Sequence, residues 1–326
     1  MNKITYIFPN WLHPNNIGDT MVSTFIPSLL KLVYADYFLE VVVSDKLYDI
    51  LKLDTSIDLC REPYDHEIHM NYVNLSLGRN QSNELLKTVY PAWHPELFEF
   101  WKINHELLSN HPTANIITVN FLLQLGLQHL LFDSSFDFKP RVNKNKHLKT
   151  SDSINIGIVI STKLAGKSQP HPGCNGIGYR YKLEHWKRFV EYIKSKNSNI
   201  TIYEFSENFI GIGDKHYGYV DSYDELFDQI DTIDLGIMSD GGLHHAFNTR
   251  NIPIVLFQSN VLSKVEFLQL HNSNYPEHLH LQCRHTCRSY FSEIFNVTDK
   301  SKTCNMECED LDPIGLAEYT LNIIKD

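Results

Sequence analysis

The chain has 326 residues, of which 42% are apolar and 21% charged, and its formal net charge is −10 with the 17 histidines counted as neutral. This composition excludes a disordered, collagen-like or fibrous chain, and the length favours two domains of ordinary size. The acidic balance argues against a protein that binds nucleic acid over its whole surface, although a local basic groove stays compatible with it.

The sequence predicts a cytoplasmic protein without a transmembrane segment. The apolar run that begins the chain stops at Pro9, which is too early for a signal peptide. No later stretch approaches the roughly 20 apolar residues that cross a bilayer. Six cysteines are also too few for a disulfide framework in a chain of this length.

Strands and helices alternate in the first part of the chain. Residues 4–8 predict a strand, apolar residues at helical spacing predict a helix over 17–35, and the β-branched run at 39–44 predicts a second strand. Together they form a βαβ unit, whose strands pair in parallel. The sequence then predicts a short helix at 45–52, a strand at 67–75 and amphipathic stretches at 95–108 and 116–130.

A polar, cation-rich segment at 133–153 lacks an apolar period and predicts an interdomain linker. A second alternating series follows, with strands at 154–160, 200–205, 233–238 and 252–257 and helices at 183–196, at 224–230 and from 243. A last helix at 313–325 could pack on either domain. The sequence therefore predicts an α/β protein of two doubly wound Rossmann-like domains, 1–140 and 141–326, that face each other across a cleft.

The loop after the first predicted strand carries the first chemical motif, Gly18-Asp19 at a helix start. Glycine lets the backbone approach a ligand, and a carboxylate at this position suits a general base. The helix dipole keeps the carboxylate ionised but limits its basicity. A plain helix cap is the alternative interpretation of Asp19.

The second motif leads from a predicted strand through glycines into a helix. It consists of Asp240, Gly241, Gly242, Leu243, His244 and His245. Exposed amides at a helix N-terminus, with glycines for close approach and histidines that donate hydrogen bonds, indicate a diphosphate cradle. Taken alone, two glycines before a helix are also typical of a tight turn.

Gly166-Lys167-Ser168 resembles part of a phosphate-binding P-loop. The motif also needs a glycine at position 161, where the chain has Ser161, and prolines follow in place of a helix. A nucleoside triphosphatase is therefore excluded. Residues 161–182 predict a mobile loop whose cations can meet phosphate oxygens, with solvated surface charge as the alternative for any one lysine.

Four cysteines gather near the C-terminus in a C-x3-C-x16-C-x3-C arrangement, which places Cys283, Cys287, Cys304 and Cys308 within segment 283–308. Four thiolates fit a structural zinc or iron ion, and closed thiolate sites stabilise folds without taking part in catalysis. Because the usual spacing within each pair is two residues, four unligated thiols are the alternative.

These motifs resemble those of glycosyltransferase family 9, the heptosyltransferase-like enzymes with the two-domain GT-B fold. The matching segments are Asn-Ile-Gly-Asp at 16–19, Tyr-Lys-Leu-Glu-His-Trp at 181–186, Ser-Asp-Gly-Gly-Leu-His-His at 239–245 and Asn-Ile-Pro-Ile-Val-Leu-Phe at 251–257. A cysteine-rich segment near the C-terminus also recurs in the family, with iron as a candidate metal. The chain departs from many relatives at Gly241, where they carry a hydroxyl residue.

The resemblance implies an inverting glycosyltransferase that uses a nucleotide-diphosphate sugar, a heptose or a related one. The donor would bind the C-terminal domain and the acceptor the N-terminal domain, with Asp19 as the general base. The implied donor-binding residues are Lys163 and Lys182 at the leaving phosphate, Glu204 or Glu207 at the ribose, and Asp240, Gly241, Gly242, Leu243, His244 and His245 at the diphosphate and sugar. Because cations and helix amides can stabilise the leaving diphosphate, catalysis would need no divalent metal.

Several acceptors stay open at this point. They are the lipopolysaccharide core, a protein, and a modified base of bacteriophage DNA, the last disfavoured by the net charge of −10. A nucleotide-sugar-binding module without catalytic activity is the alternative of a different class. No oligomeric state follows from the sequence.

Overall fold

The computed structural model describes residues 3–7, 21, 23–43, 45–62, 64, 73–79, 82–88, 95–104, 108, 114, 116–133, 135–139, 142, 152–160, 183–206, 208–218, 220, 222–239, 242–258, 279–282 and 312–324. The chain divides into two compact units. The N-terminal unit comprises Met1–Asn145, Asp221–Leu226 and Leu268–Asn274, and the C-terminal unit comprises Lys146–Val220, Phe227–Phe267 and Tyr275–Asp326. The predicted division after residue 140 lies near the first of these boundaries.

The N-terminal unit contains a five-stranded sheet in the order β3-β2-β1-β4-β5. Its strands are β1 Lys3–Ile7, β2 Phe38–Val42, β3 Leu59–Arg61, β4 Val73–Arg79 and β5 Ser82–Thr88. Strands β1, β2 and β3 pair in parallel, as the βαβ prediction requires. Strands β4 and β5 form an antiparallel hairpin that adds to β1. The strand predicted at 67–75 overlaps β4, whereas β5 and the hairpin were not predicted.

Four α-helices belong to the described part of the N-terminal unit: α1 Ile26–Val33, α2 Asp45–Leu51, α3 Leu97–Ile103 and α4 Ile116–Leu125. Short 3-10 helices at Ser23–Phe25 and Gln128–Phe132 extend two of them. Helix α1 lies within the predicted helical range 17–35, and Pro27 occupies its first turn, where the missing amide hydrogen costs nothing.

Aromatic side chains fill the core of the N-terminal unit. The Phe25 ring meets Phe121 and Phe138 edge to face, at centroid distances of 6.3 and 6.2 Å. Tyr6 of β1 meets the same Phe121 ring at 6.4 Å. These rings are buried and join β1 to α4 and to the segment before α1.

The C-terminal unit contains a six-stranded sheet in the order β11-β10-β9-β6-β7-β8, in which all neighbouring pairs are parallel. Its strands are β6 Ile154–Val159, β7 Ile200–Phe205, β8 Lys215–Tyr217, β9 Leu235–Ser239, β10 Ile254–Gln258 and β11 Leu279–Gln282. The chain fills one side of β6 with β7 and β8, then crosses to the other side for β9, β10 and β11. The strand order therefore reverses between β6 and β9.

The described helices of the second series are α5 Leu183–Lys196, α6 Tyr223–Ile230, α7 Gly242–Thr249 and α8 Pro313–Ile323. The sequence left the partner of the last helix open. The structure packs α8 in the core of the C-terminal unit, where Leu316 and Leu321 join Trp186 and Phe189 of α5. The Asp312 carboxylate caps α8 by accepting from the amide of Gly315 at 3.0 Å.

Among the helices that the structure describes, none is both long enough and apolar enough to cross a membrane.

Candidate functional site

The junction between β9 and α7 lies at the point where the strand order reverses. Strand β9 ends at Ser239 and α7 begins at Gly242, so the N-terminus of the helix lies at the carboxyl end of the strand. In open parallel sheets, ligands bind beyond the carboxyl ends of the strands at such a reversal. The first amides of α7 have no partner within the helix, and the helix dipole favours an anion there.

Close packing fixes α7 against the sheet. A Cβ atom added to Gly236 of β9 would lie 2.9 Å from the Phe247 ring of α7, so only glycine permits this approach. The Phe247 ring in turn meets Phe205 of β7 edge to face at 5.5 Å. The second half of α7 is therefore packed against the core of the C-terminal unit.

A buried ion pair lies directly after the last residue of α7. The Arg250 guanidinium donates to both carboxylate oxygens of Asp231, at 2.7 and 2.6 Å, and lies 5.6 Å from the centre of the Phe227 ring. Two parallel hydrogen bonds of this kind fix orientation as well as distance. Sequence reasoning missed this pair because 18 residues separate its members and neither belongs to a motif.

Both histidines of α7 are buried and contribute to the packing of the C-terminal unit. His244 is fully buried, and the Asn248 side-chain amide donates to its Nε2 at 2.9 Å, one helical turn away. Nε2 is therefore the acceptor, which puts the proton of the neutral ring on Nδ1. The His245 ring lies 4.6 Å from the His244 ring and is also buried. The role of both histidines at the donor stays a prediction.

Glu204, one of the two predicted ribose ligands, instead accepts hydrogen bonds from the chain segment that follows β7. Its side chain is fully buried near the end of β7. One carboxylate oxygen accepts from the amide of Ile210 at 2.6 Å and from the hydroxyl of Ser206 at 2.7 Å, which shares its one proton with the carbonyl oxygen of Asn208 at 2.8 Å. The other accepts from the amides of Ile212 at 3.0 Å and Gly213 at 3.3 Å. A carboxylate has about four lone-pair positions, of which the three amides fill three, and the side chain has no exposed surface that a ribose could reach.

The pKa of Glu204 agrees with a carboxylate that serves as an acceptor. Burial raises this pKa, but the hydrogen bonds from Ile210, Ser206, Ile212 and Gly213 outweigh burial and hold the pKa below its ordinary value. We therefore do not assign the ribose to Glu204 and keep Glu207, which lies outside the described residues, as the predicted ligand.

Some of the predicted site residues lie in the described part of the chain, and the others lie outside it. Gly242, Leu243, His244 and His245 form the first turn of α7 together, as the motif predicts. The remaining predicted site residues lie outside the described part of the chain: Asp19, Lys163, Lys182, Glu207, Asp240, Gly241, Cys283, Cys287, Cys304 and Cys308. Within the described part, no three His, Cys, Asp or Glu side chains are grouped so that they could hold a metal ion.

Comparison with solved structures identifies the fold. The iron-containing dodecameric glycosyltransferase TibC from enterotoxigenic E. coli matches 98% of this chain over 75% of its own, with a TM-score of 0.56 and 12% sequence identity. A family 9 glycosyltransferase from Veillonella parvula matches 99% of this chain over 96% of its own, at 0.53 and 11%. The E. coli ADP-heptose lipopolysaccharide heptosyltransferase II matches 99% over 98%, at 0.51 and 11%. No protein-family model matches the chain, and neither does any curated protein.

The chain has the GT-B fold of these glycosyltransferases. The predicted α/β class is thereby confirmed, and so, as a likeness of fold, is the resemblance to family 9 that the sequence motifs indicate. The match extends over nearly the whole chain and not over one unit alone.

Proposed function

We propose that this protein is a cytoplasmic glycosyltransferase that moves a heptose or a related sugar from a nucleotide-diphosphate donor to an acceptor hydroxyl, with inversion at the anomeric carbon. The acceptor is a sugar of the lipopolysaccharide core or a protein side chain. Support comes from the fold, since one solved neighbour is an ADP-heptose lipopolysaccharide heptosyltransferase and another, TibC, has been solved with ADP-D-β-D-heptose.

The β9–α7 junction is the observation that carries the proposal. A helix that packs on the core and whose N-terminus lies at a reversal of strand order is a site for phosphate groups. The sequence around it, with Asp240, Gly241 and Gly242 before Leu243, fits a nucleotide diphosphate because glycines let phosphate oxygens approach the backbone amides.

In the proposed reaction, Asp19 takes the proton from the acceptor hydroxyl while that oxygen attacks the anomeric carbon. The bond from this carbon to the phosphate oxygen breaks, and the nucleoside diphosphate leaves with the electron pair. Lys163, Lys182 and the first amides of α7 neutralise the charge that develops on the leaving diphosphate. Fixed donors of this kind are worth about 10²-fold or more each, and a placed general base contributes similarly.

The four cysteines at 283–308 are proposed to hold a structural zinc or iron ion. Their thiolates are the donor set that both metals accept in tetrahedral sites, and the TibC neighbour is described as iron-containing. In this proposal the metal stabilises the segment, and no step of the transfer involves it.

The experiment begins with a screen of nucleotide sugars by thermal shift. A donor at about 100 times its dissociation constant adds roughly 2.7 kcal/mol to the free energy of unfolding, which a melting curve resolves. The best donor is then tested for transfer with wild-type protein and with Asp19→Asn. The variant should bind the donor as the wild type does and turn over at least about 10²-fold more slowly.

Asp36→Asn is the matched control, since Asp36 is exposed in a turn of the same unit and receives the same chemical change. It should turn over like the wild type. Equal turnover in Asp19→Asn would remove the general base from the mechanism. Donor binding without transfer to any acceptor would favour a binding module, and the lack of binding by every donor would contradict the proposal.

A further inference from the structure

The connection from β7 to β8 is built around one carboxylate. Parallel strands are usually joined by a dozen or more residues that include a helix, whereas nine residues join β7 to β8, and the described ones, 206 and 208–214, contain no helix. The Glu204 side chain replaces the helix by accepting the hydrogen bonds of the loop, among them the amides of Ile210, Ile212 and Gly213. We call residues 206–213 the Glu204 loop.

Further bonds hold this loop in one conformation. The Asp214 carboxylate accepts from the amide of Ile202 at 2.9 Å, and its other oxygen pairs with Lys194 of α5. A Cβ atom on Gly213 would lie 3.0 Å from Glu204, and Gly211 has a φ of 81°, which favours glycine. The described residues of the loop are therefore held by hydrogen bonds and close packing from β7 and α5.

Within the Glu204 loop, the apolar side chains face opposite ways. Ile212 is buried and Ile210 packs against the core of the C-terminal unit. Phe209, the largest apolar residue of the loop, is instead 53% exposed.

The imidazole ring of His216 packs against the exposed Phe209 ring. The two rings lie 5.4 Å apart and are tilted by 36°. The His216 Nε2 donates to the carbonyl oxygen of Ser206 at 2.9 Å, because a carbonyl can only accept, and this bond fixes the imidazole. Phe209 and His216 thus form a rigid aromatic platform.

The position of the platform suggests its occupant. The Glu204 loop leaves the carboxyl end of β7, which is the neighbour of β6 at the reversal of strand order. In nucleotide-binding sheets of this topology, the ribose is held just beyond the second strand, which is β7 here. In the sequence, Phe209 follows the predicted ribose ligand Glu207 by two residues.

We propose that the Phe209–His216 platform is the stacking surface for the nucleobase of the donor, and that Glu204 is the positioning residue that presents it. This inference rests on the proposed function and adds the base-binding residues to it. An aromatic ring accepts any base on its face, so the platform binds a nucleoside without choosing among bases.

Isothermal titration tests the inference with ADP, GDP, UDP, CDP and inorganic pyrophosphate on the full chain. Phe209→Ala should weaken the tightest nucleoside diphosphate by about 5- to 100-fold, the range for loss of one stacked base, and should leave pyrophosphate binding unchanged. Phe209→Tyr keeps the ring and should bind like the wild type. Tyr319→Ala, which removes an exposed aromatic side chain from α8 of the same unit, is the control and should also bind like the wild type.

Glu204→Gln tests the positioning role through hydrogen exchange. The amides of residues 210–213 should exchange faster in the folded variant, and nucleoside diphosphate binding should weaken more than pyrophosphate binding. A nucleoside diphosphate affinity unchanged in Phe209→Ala would overturn the platform while leaving the proposed function intact. Equal weakening of both ligands would also overturn it. If wild-type protein binds no nucleoside diphosphate, the proposed function fails as well.

Discussion

Each unit of this molecule buries a glutamate in the second strand of its sheet, and the two carboxylates are satisfied in different ways. Glu40 of β2 accepts from side chains: the Thr5 hydroxyl at 2.8 Å, the Lys3 ammonium at 3.0 Å and the Arg61 guanidinium at 3.2 Å. Glu204 of β7 accepts mainly from backbone amides, at 2.6 to 3.3 Å.

The hydrogen-bond partners of Glu40 and Glu204 differ in how they can respond when the carboxylate is replaced or protonated. A hydroxyl can turn from donor to acceptor, and long cationic side chains can reach water instead. A backbone amide can only donate, and its position is set by the loop. Glu40 therefore ties three strands together, since Lys3 and Thr5 lie on β1 and Arg61 on β3, whereas Glu204 determines the conformation of a whole connection.

Replacement of Glu204 by glutamine should have the largest effect. The side-chain NH2 group of glutamine cannot accept a hydrogen bond, so at least one backbone amide loses its acceptor. The remaining hydrogen bonds are made to a neutral oxygen instead of a charged one. We expect Glu204→Gln to lower the free energy of unfolding by about 3 kcal/mol. Urea denaturation followed by circular dichroism measures this difference. A loss below about 1 kcal/mol would mean that the loop does not depend on the carboxylate.

Low pH should destabilise the wild-type fold through both Glu40 and Glu204. Burial raises the pKa of Glu40, but its bonds to Lys3, Thr5 and Arg61 outweigh burial and lower that pKa, and the pKa of Glu204 is lowered as well. A lowered folded-state pKa stabilises the fold above the unfolded-state value, near 4.5, and this contribution disappears as the pH falls through the folded-state value.

Melting temperatures from pH 7 to pH 3 should therefore fall below about pH 4.5 in the wild type, and the fall should be shallower in Glu204→Gln. The effect is smaller than that of the substitution, since a protonated carboxyl keeps acceptor capacity. The same slope in the variant and the wild type would contradict a lowered pKa at Glu204.

Glu40→Gln should cost only about 1 kcal/mol in free energy of unfolding. The glutamine oxygen can still accept from Arg61, and the Thr5 hydroxyl can accept from the new amide group. The measurement is the same denaturation experiment, with Glu40 and Glu204 variants side by side. A cost for Glu40→Gln equal to that for Glu204→Gln would remove the distinction between side-chain and backbone partners.

Added salt should change the cost of these substitutions least, but it should distinguish Glu40 from Glu204 most clearly. At 1 M salt the screening length is about 3 Å, so the partly exposed Lys3 pair weakens while bonds from neutral amides do not. The cost of Glu40→Gln should therefore shrink by a few tenths of a kcal/mol in 1 M sodium chloride, and the cost of Glu204→Gln should stay constant. Denaturation at both salt concentrations checks this.

Sequence patterns predicted the elements that carry a strong period. Helix α5 and strand β7 have the predicted bounds, because α5 repeats apolar residues on one face and β7 is a β-branched and aromatic run. Strands β3 and β8 have three residues each and were missed, since so short a segment shows no period and pairs only because a neighbouring strand is already in place.

The candidate site was predictable to the extent that it consists of motifs. The sequence indicates a strand-to-helix turn at 240–242, and the structure ends β9 at Ser239 and begins α7 at Gly242. The role of Glu204 was not predictable, because its partners are backbone amides and these carry no residue signature. The Asp231–Arg250 pair escaped for a related reason, since only tertiary packing joins the ends of α6 and α7.

The central claim is that the first turn of α7 binds the diphosphate of a nucleotide sugar. Hydrogen–deuterium exchange of the peptide spanning residues 239–246 tests it most directly, with and without a nucleotide sugar that raises the melting temperature. The account predicts slower exchange at the first amides of α7 when the ligand is bound. A ligand that binds tightly but leaves exchange in this peptide unchanged would contradict it.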